Sequence, residues 1–226
     1  MKGNVCFFAL LFIFKLNAQD TIKFYRFTTT KKADIIIFND SITKKVFYNF
    51  FGKKTDEYTY LYDNLHGETK GWYPNGNIKF KGSFFLNKKD GQWYYWYKNG
   101  KTEAIEVFEK GVPVKTWYAW YKNGKLFSRR SFKNGKLYGE FVVFYKNSKP
   151  EIRAYFINDT LNGTYTEYYM NGKKKYEAYY KNGKILGIEK EWYSNGNMTL
   201  ETIYKLDSLE EVKSKIDSLI LPFDKN

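Results

Sequence analysis

Few residues in this 226-residue sequence could carry covalent chemistry. The one histidine, His66, stands in "NLHGE" with no second histidine or cysteine to share a metal ion, and it reads as a solvated turn residue. A Ser-His-Asp set would have to run through that same residue. The one cysteine, Cys6, lies inside the apolar run Val5–Phe14, where it suits neither lipid attachment nor a thiol nucleophile. Carboxylate pairs such as Glu103/Glu106 and Glu189/Glu191 have the residue types of a glycoside hydrolase, yet 24 acids spread over the chain bring pairs together by chance. The glycines sit in turn dipeptides, not between a strand and a helix, so no phosphate-cradling loop is present. The expectation is a non-enzyme with no cofactor and no metal site.

What remains is the chemistry of contact. Trp72, Trp96, Trp120, Phe144, Tyr168 and Trp192 form an aromatic row at steps of 24 residues. Lys101, Lys125, Lys149 and Lys173 form a second row at the same step. On neighbouring units of a sheet these lysines would stand two strand separations apart, about 9–10 Å. The two rows are the candidate binding residues.

The elements that position them follow from the period. Asn75-Gly76, Asn99-Gly100, Asn123-Gly124, Asn147-Ser148, Asn171-Gly172 and Asn195-Gly196 recur every 24 residues, and so do Tyr73, Tyr97, Tyr121, Tyr145, Tyr169 and Tyr193. A second turn falls inside each unit, as at Asn134-Gly135 and Asn182-Gly183, with Lys110-Gly111 and Asn158-Asp159 as variants. Asn-Gly between alternating apolar runs signals a hairpin. Each unit is therefore two short strands and two turns, and the array is an antiparallel meander. "YKNGK" occurs at 97–101, 121–125 and 180–184, the last copy serving as the second kind of turn.

A two-residue turn at Asn99-Gly100 sets Lys98 opposite Lys101, Tyr97 opposite Thr102, Trp96 opposite Glu103 and Trp93 opposite Glu106. Alternation along the strands then sorts the columns into two faces. The tyrosine column, Trp93/Trp117/Phe141/Tyr165 and Phe84/Phe108/Phe132/Phe156 share one face, the candidate for the packed side. The aromatic row lies on the other, among Lys79, Lys81, Glu103, Arg129, Glu151, Arg153 and Lys175.

The ends differ from the array. Residues 1–18 have the charge, apolar run and small residues of a signal peptide, with cleavage near Ala18 or Gln19. Removing Lys2 and Lys15 takes the formal charge from +14 to +12. Residues 19–64 read as an N-terminal β cap containing "DIIIF" and a degenerate unit at Phe51-Gly52, and residues 65–206 as the repeats. In 207–226, Leu209, Val212, Ile216, Leu219 and Ile220 share a helical face, and Ser208 with Glu211 makes a capping box, predicting a short amphipathic helix over the last strand edge. The fold class is all-β: an elongated single-sheet meander with that C-terminal capping helix.

The units quoted as "GQWYYWYKNGK", "GEFVVFYKNSK" and "GTYTEYYMNGK" resemble the MORN repeat variant that defines the bacterial YwqK-type antitoxin family. The resemblance covers Leu65 to Tyr204 and departs from the pattern at Lys115, Ser148 and Glu189. It implies a twisted single sheet and a binding or scaffolding role, with toxin neutralisation as the family label. It carries no catalytic motif.

These readings converge on an exported binding scaffold, periplasmic, surface-associated or secreted, whose partner is a protein. Two alternatives use the same rows: a cell-envelope carbohydrate on the exposed aromatics, or anionic envelope lipid or polysaccharide on the lysines. Nucleic acid suits the charge and the rings but not an exported location.

Overall fold

The computed structural model describes residues 20–25, 31–37 and 41–204. The described residues begin with β1 (Asp20–Tyr25), β2 (Lys31–Ile37), β3 (Ile42–Tyr48) and β4 (Lys54–Leu61). The array continues as β5 (Asn64–Trp72), β6 (Ile78–Phe85), β7 (Lys88–Trp96), β8 (Thr102–Glu109), β9 (Val112–Pro113), β10 (Lys115–Trp120) and β11 (Leu126–Lys133). It ends with β12 (Lys136–Phe144), β13 (Pro150–Ile157), β14 (Thr160–Leu161), β15 (Gly163–Tyr168), β16 (Lys174–Lys181), β17 (Lys184–Trp192) and β18 (Met198–Tyr204). Each strand pairs antiparallel with the next in sequence, except β9 with β10 and β14 with β15. β9 and β10 share one row of the sheet, both pairing with β8, and β14 and β15 share another beside β13. The result is one open all-β sheet. The signal peptide and the C-terminal helix expected from the sequence lie outside the described residues.

The turns correct part of the expected register. Gly100 N–H bonds to Tyr97 O at 2.8 Å and Tyr97 N–H to Lys101 O at 2.9 Å. Gly100 has φ 82°, whereas Asn99 is not in the left-handed region. This is a three-residue loop, a type I turn followed by a glycine bulge, not a two-residue type I′ turn. Trp96 therefore faces Thr102 rather than Glu103, and Tyr97 and Lys98 leave the ladder, while Trp93 faces Glu106 as expected. The turns at Asn134-Gly135 and Asn182-Gly183 are of the two-residue kind: Lys133 faces Lys136, Lys181 faces Lys184, and both central residues have positive φ. Identical "YKNGK" segments thus close in two geometries. Asn and Gly both tolerate the left-handed conformation, so the sheet register, not the local letters, selects the turn.

No second layer covers the sheet among the described residues. The expected packed face instead packs on itself. Trp93 is 4% exposed, and Phe108 and Trp117 join it with Phe80, Phe84, Tyr95 and Phe132 around them. The rings meet edge-on or offset, as with Phe84–Trp93 at 5.0 Å and Trp117–Phe132 at 4.6 Å between centroids. Each such pair contributes about 0.5–1.5 kcal/mol beyond its area. The indole N–H groups of Trp93 and Trp117 donate to Ser83 O and Val107 O. Trp93 also lies across Gly82, where a Cβ would fall 2.3 Å from the indole, so only glycine admits the ring there. The roof is ionic. Lys89 Nζ stands 4.6 Å over the Trp93 ring and 3.5 Å from Glu106, and the Arg130 guanidinium lies 5.5 Å over Trp117. Aliphatic stems and cation–π contacts replace a second sheet.

Candidate functional site

The sequence-predicted rows are both present, with different surroundings. Trp72, Trp96, Trp120, Phe144, Tyr168 and Trp192 end one strand in each repeat unit, beside a bulge, and all six are half-buried. Two of them are widened by a stacked neighbour on the same face. Tyr94 lies 5.8 Å from Trp96 at 18°, and Tyr118 lies 6.0 Å from Trp120 at 28°. Lys54 and Lys174 reach over Trp72 and Trp192.

The charges on this face are largely neutralised in place. Lys70 and Lys81 both hold Glu68, at 2.7 and 2.9 Å, and their hydrogen bonds keep its carboxyl below the usual carboxylate range. Arg129 and Arg153 hold Glu140, at 2.7 and 3.9 Å. Val142 pairs with Arg129 and Arg153 across the sheet, and it is 0% exposed although no other layer lies above it among the described residues. Lys190 meets Glu201 at 3.2 Å. The face is an aromatic surface laced with ion pairs.

The lysine row lies along the loop rim and is engaged by the backbone. Lys101 Nζ donates to Asn123 O at 2.8 Å, Lys149 Nζ to Asn171 O at 2.5 Å, and Lys173 Nζ to Asn195 O. Lys125 makes no such bond among the described residues. These ammonium groups fasten one loop to the next while staying exposed, so the row is partly structural.

The tyrosine column proves to be part of the same fastening. Tyr73, Tyr97, Tyr121, Tyr145 and Tyr169 donate their hydroxyls to the carbonyls of Trp96, Trp120, Phe144, Tyr168 and Trp192, at 2.6–2.9 Å. Each carbonyl belongs to a residue at a bulge, where the ladder is disrupted. Burial is the main cause that raises the phenols of Tyr73, Tyr97, Tyr121 and Tyr145 above their usual range. The sequence placed these tyrosines on the packed face. Their invariance reflects a hydroxyl, not only a ring.

The structure adds a site that the sequence reading passed over. Towards β18 two largely apolar columns give way to glutamate: Trp93, Trp117, Phe141 and Tyr165 are followed by Glu189, and Tyr95, Ala119 and Val143 by Glu167 and Glu191. A hollow of about 830 Å³ opens there, walled by Tyr165, Tyr176, Tyr180, Tyr169, Trp192 and Tyr193 with Glu167, Glu191 and Lys175. Tyr165 OH donates to Glu167 at 2.8 Å, and Tyr176 OH and Tyr204 OH donate to the two oxygens of Glu189 at 2.7 Å. Burial, then hydrogen bonding to a neighbouring acceptor, pushes the Tyr165 and Tyr176 phenols well up. Lys175, 2.9 Å from Glu167, holds that carboxyl down. The signal was visible as the departure at Glu189, but its partners lie on other strands.

His66 stands in β5, not in a turn, with its ring 5.3 Å from that of Phe85. Among the described residues no three His, Cys, Asp or Glu side chains gather as a metal site.

No curated protein matches the chain. The family model described as the MORN repeat variant matches residues 65–86, 89–110, 113–134, 161–182 and 185–206. The intervening unit departs at Ser148 yet forms β12 and β13 in the same register. The family model thus matches five MORN repeat variants between residues 65 and 206, and the unit it leaves out continues the same sheet.

Proposed function

We propose that the chain is a non-enzymatic scaffold that acts outside the cytoplasm and binds another protein along the face bearing the aromatic row. One observation carries this reading: the half-buried row Trp72, Trp96, Trp120, Phe144, Tyr168 and Trp192 lies open among neutralised Arg–Glu and Lys–Glu pairs. Trp, Tyr and Arg are the residue types that dominate protein contact energies. The pairing of charges on this face argues against simple electrostatic adhesion to an anionic membrane, which would need unpaired cations there. Toxin neutralisation is the specific form of this reading, with a toxin acting outside the cytoplasm as the partner.

Crosslinking and affinity capture from envelope fractions, wild type beside the Trp96→Ala/Trp120→Ala double variant, is the test. A stoichiometric protein lost with the variant is the expected result. Retention of that protein would remove the row from the interface. Polysaccharide in its place, also lost with the variant, would move the reading to carbohydrate.

A further inference from the structure

We propose that the tyrosine-walled hollow between β15 and β18 binds an organic ammonium group, either a small alkylammonium head group or a lysine side chain of another molecule. The proposal goes beyond the scaffold reading and does not depend on it.

The argument begins with what the walls offer. The hydroxyls of Tyr165, Tyr169 and Tyr176 are committed to Glu167, Trp192 O and Glu189. Their oxygens are thereby drawn into the protein's own network, and ring surface remains for a ligand. Ring faces attract cations through the aromatic quadrupole, most strongly where water is thinned out. A sugar would instead need free donors and acceptors.

The carboxylates decide the sign. Glu167 is matched by Lys175 and Tyr165, and Glu189 by two phenols. Glu191 is exposed, lines the hollow and has no ion-pair partner among the described residues. The lining of two glutamates and one lysine therefore carries a formal charge of −1, in a chain of net charge +14. An anion would meet Glu191 with the only lysine of the lining already bound. A cation meets an uncompensated carboxylate between aromatic walls. At physiological salt the chain's distant positive charges are screened beyond about 8 Å, so the local sign governs binding. The hollow of about 830 Å³ holds far more than one ammonium group, leaving room for the body of the ligand.

The test titrates the full chain with choline, with its uncharged carbon analogue 3,3-dimethylbutanol and with acetyl-Lys-Lys-Lys-amide, using calorimetry or NMR. Glu191→Gln and Tyr193→Leu are the variants, both at exposed positions, and unchanged thermal unfolding shows that the fold persists. Saturable binding of choline, of the peptide or of both is expected, weakened roughly tenfold by either variant. Choline alone identifies a small head group, and the peptide alone a protein side chain. Binding of the uncharged analogue as tight as that of choline overturns the proposal. So does failure of both cations to bind, or their indifference to Glu191→Gln. Trp96→Ala/Trp120→Ala should leave this binding intact, which separates its failure from that of the scaffold reading.

Discussion

On one rim of the sheet, Tyr97–Lys101 closes as a three-residue loop tied to the next loop by side chains. On the other, Tyr180–Lys184, the same five residues, closes as a two-residue turn in which the tie to the neighbouring unit is a backbone bond, Gly183 N–H to Leu161 O at 2.9 Å. Its counterparts are Asn87 N–H to Leu65 O, Gly111 N–H to Lys89 O, Gly135 N–H to Pro113 O and Asp159 N–H to Leu137 O. The loop rim uses Tyr hydroxyls, Asn amides such as Asn99 Nδ2 to Lys122 O, and Lys ammonium groups. The difference accounts for the sequence. Where side chains fasten the units, the letters are nearly constant. Where a backbone bond fastens them, Leu86-Asn87, Lys110-Gly111, Asn158-Asp159 and Asn182-Gly183 all serve at positive φ, and only some add a side-chain tie, as when Asn87 Oδ1 and Asp159 Oδ1 accept from Leu65 N–H and Leu137 N–H.

The contrast can be broken most strongly at the hydroxyls. The Tyr97→Phe/Tyr121→Phe/Tyr145→Phe triple variant should lose about 3 kcal/mol in denaturant unfolding, near 1 kcal/mol for each carbonyl left without its donor. The same variant tests the pH dependence. These phenols have folded-state pKa values raised above the unfolded value near 10, so their contribution is fully present below pH 10. It is lost as pH rises through the folded values. Wild-type stability should therefore fall above pH 10, and the variant's should fall less steeply. An equal slope would locate the alkaline weakness elsewhere.

A finer test uses one substitution in two identical pentapeptides. Asn99→Gly removes the amide bond to Lys122 O and the bond that Lys101 N–H makes to Asn99 Oδ1, and should cost about 1 kcal/mol. Asn182→Gly, at φ 51°, places glycine where a left-handed residue is required, gives up only the long exposed bond from Asn162 Nδ2 at 3.3 Å, and should stay within about 0.5 kcal/mol of wild type. Equal losses would show that the rims are not held differently. The smallest effect belongs to Lys101→Ala, whose exposed bond to Asn123 O should be worth no more than about 0.5 kcal/mol in thermal unfolding.

The period, the meander and the two faces were legible because strand alternation and Asn-Gly turns are local signals, and Trp93 opposite Glu106 follows from counting alone. The loop at Tyr97–Lys101 was not legible, since both kinds of turn accept the same letters and the bulge appears only when the strands pair. The Trp96 and Trp120 row could be placed on a face, but its stacked partners Tyr94 and Tyr118 become informative only once ring planes are known. The hollow was hidden for a further reason. Glu167 and Glu189 look like lapses from an apolar pattern until their hydroxyl partners are seen, Tyr165 beside Glu167 on β15 and Tyr176 and Tyr204 reaching Glu189 from the two flanking strands.

The fastenings of the loop rim each span 21–23 positions and never skip a unit. Such bonding is that of a chain of dominoes, each touching only the next. Duplicating one 24-residue stretch in frame would offer every new hydroxyl, amide and ammonium a partner already in place. The length of the sheet is therefore a variable that heredity can alter by copying, without redesigning any contact. Ligands longer than the present array could be matched by that route.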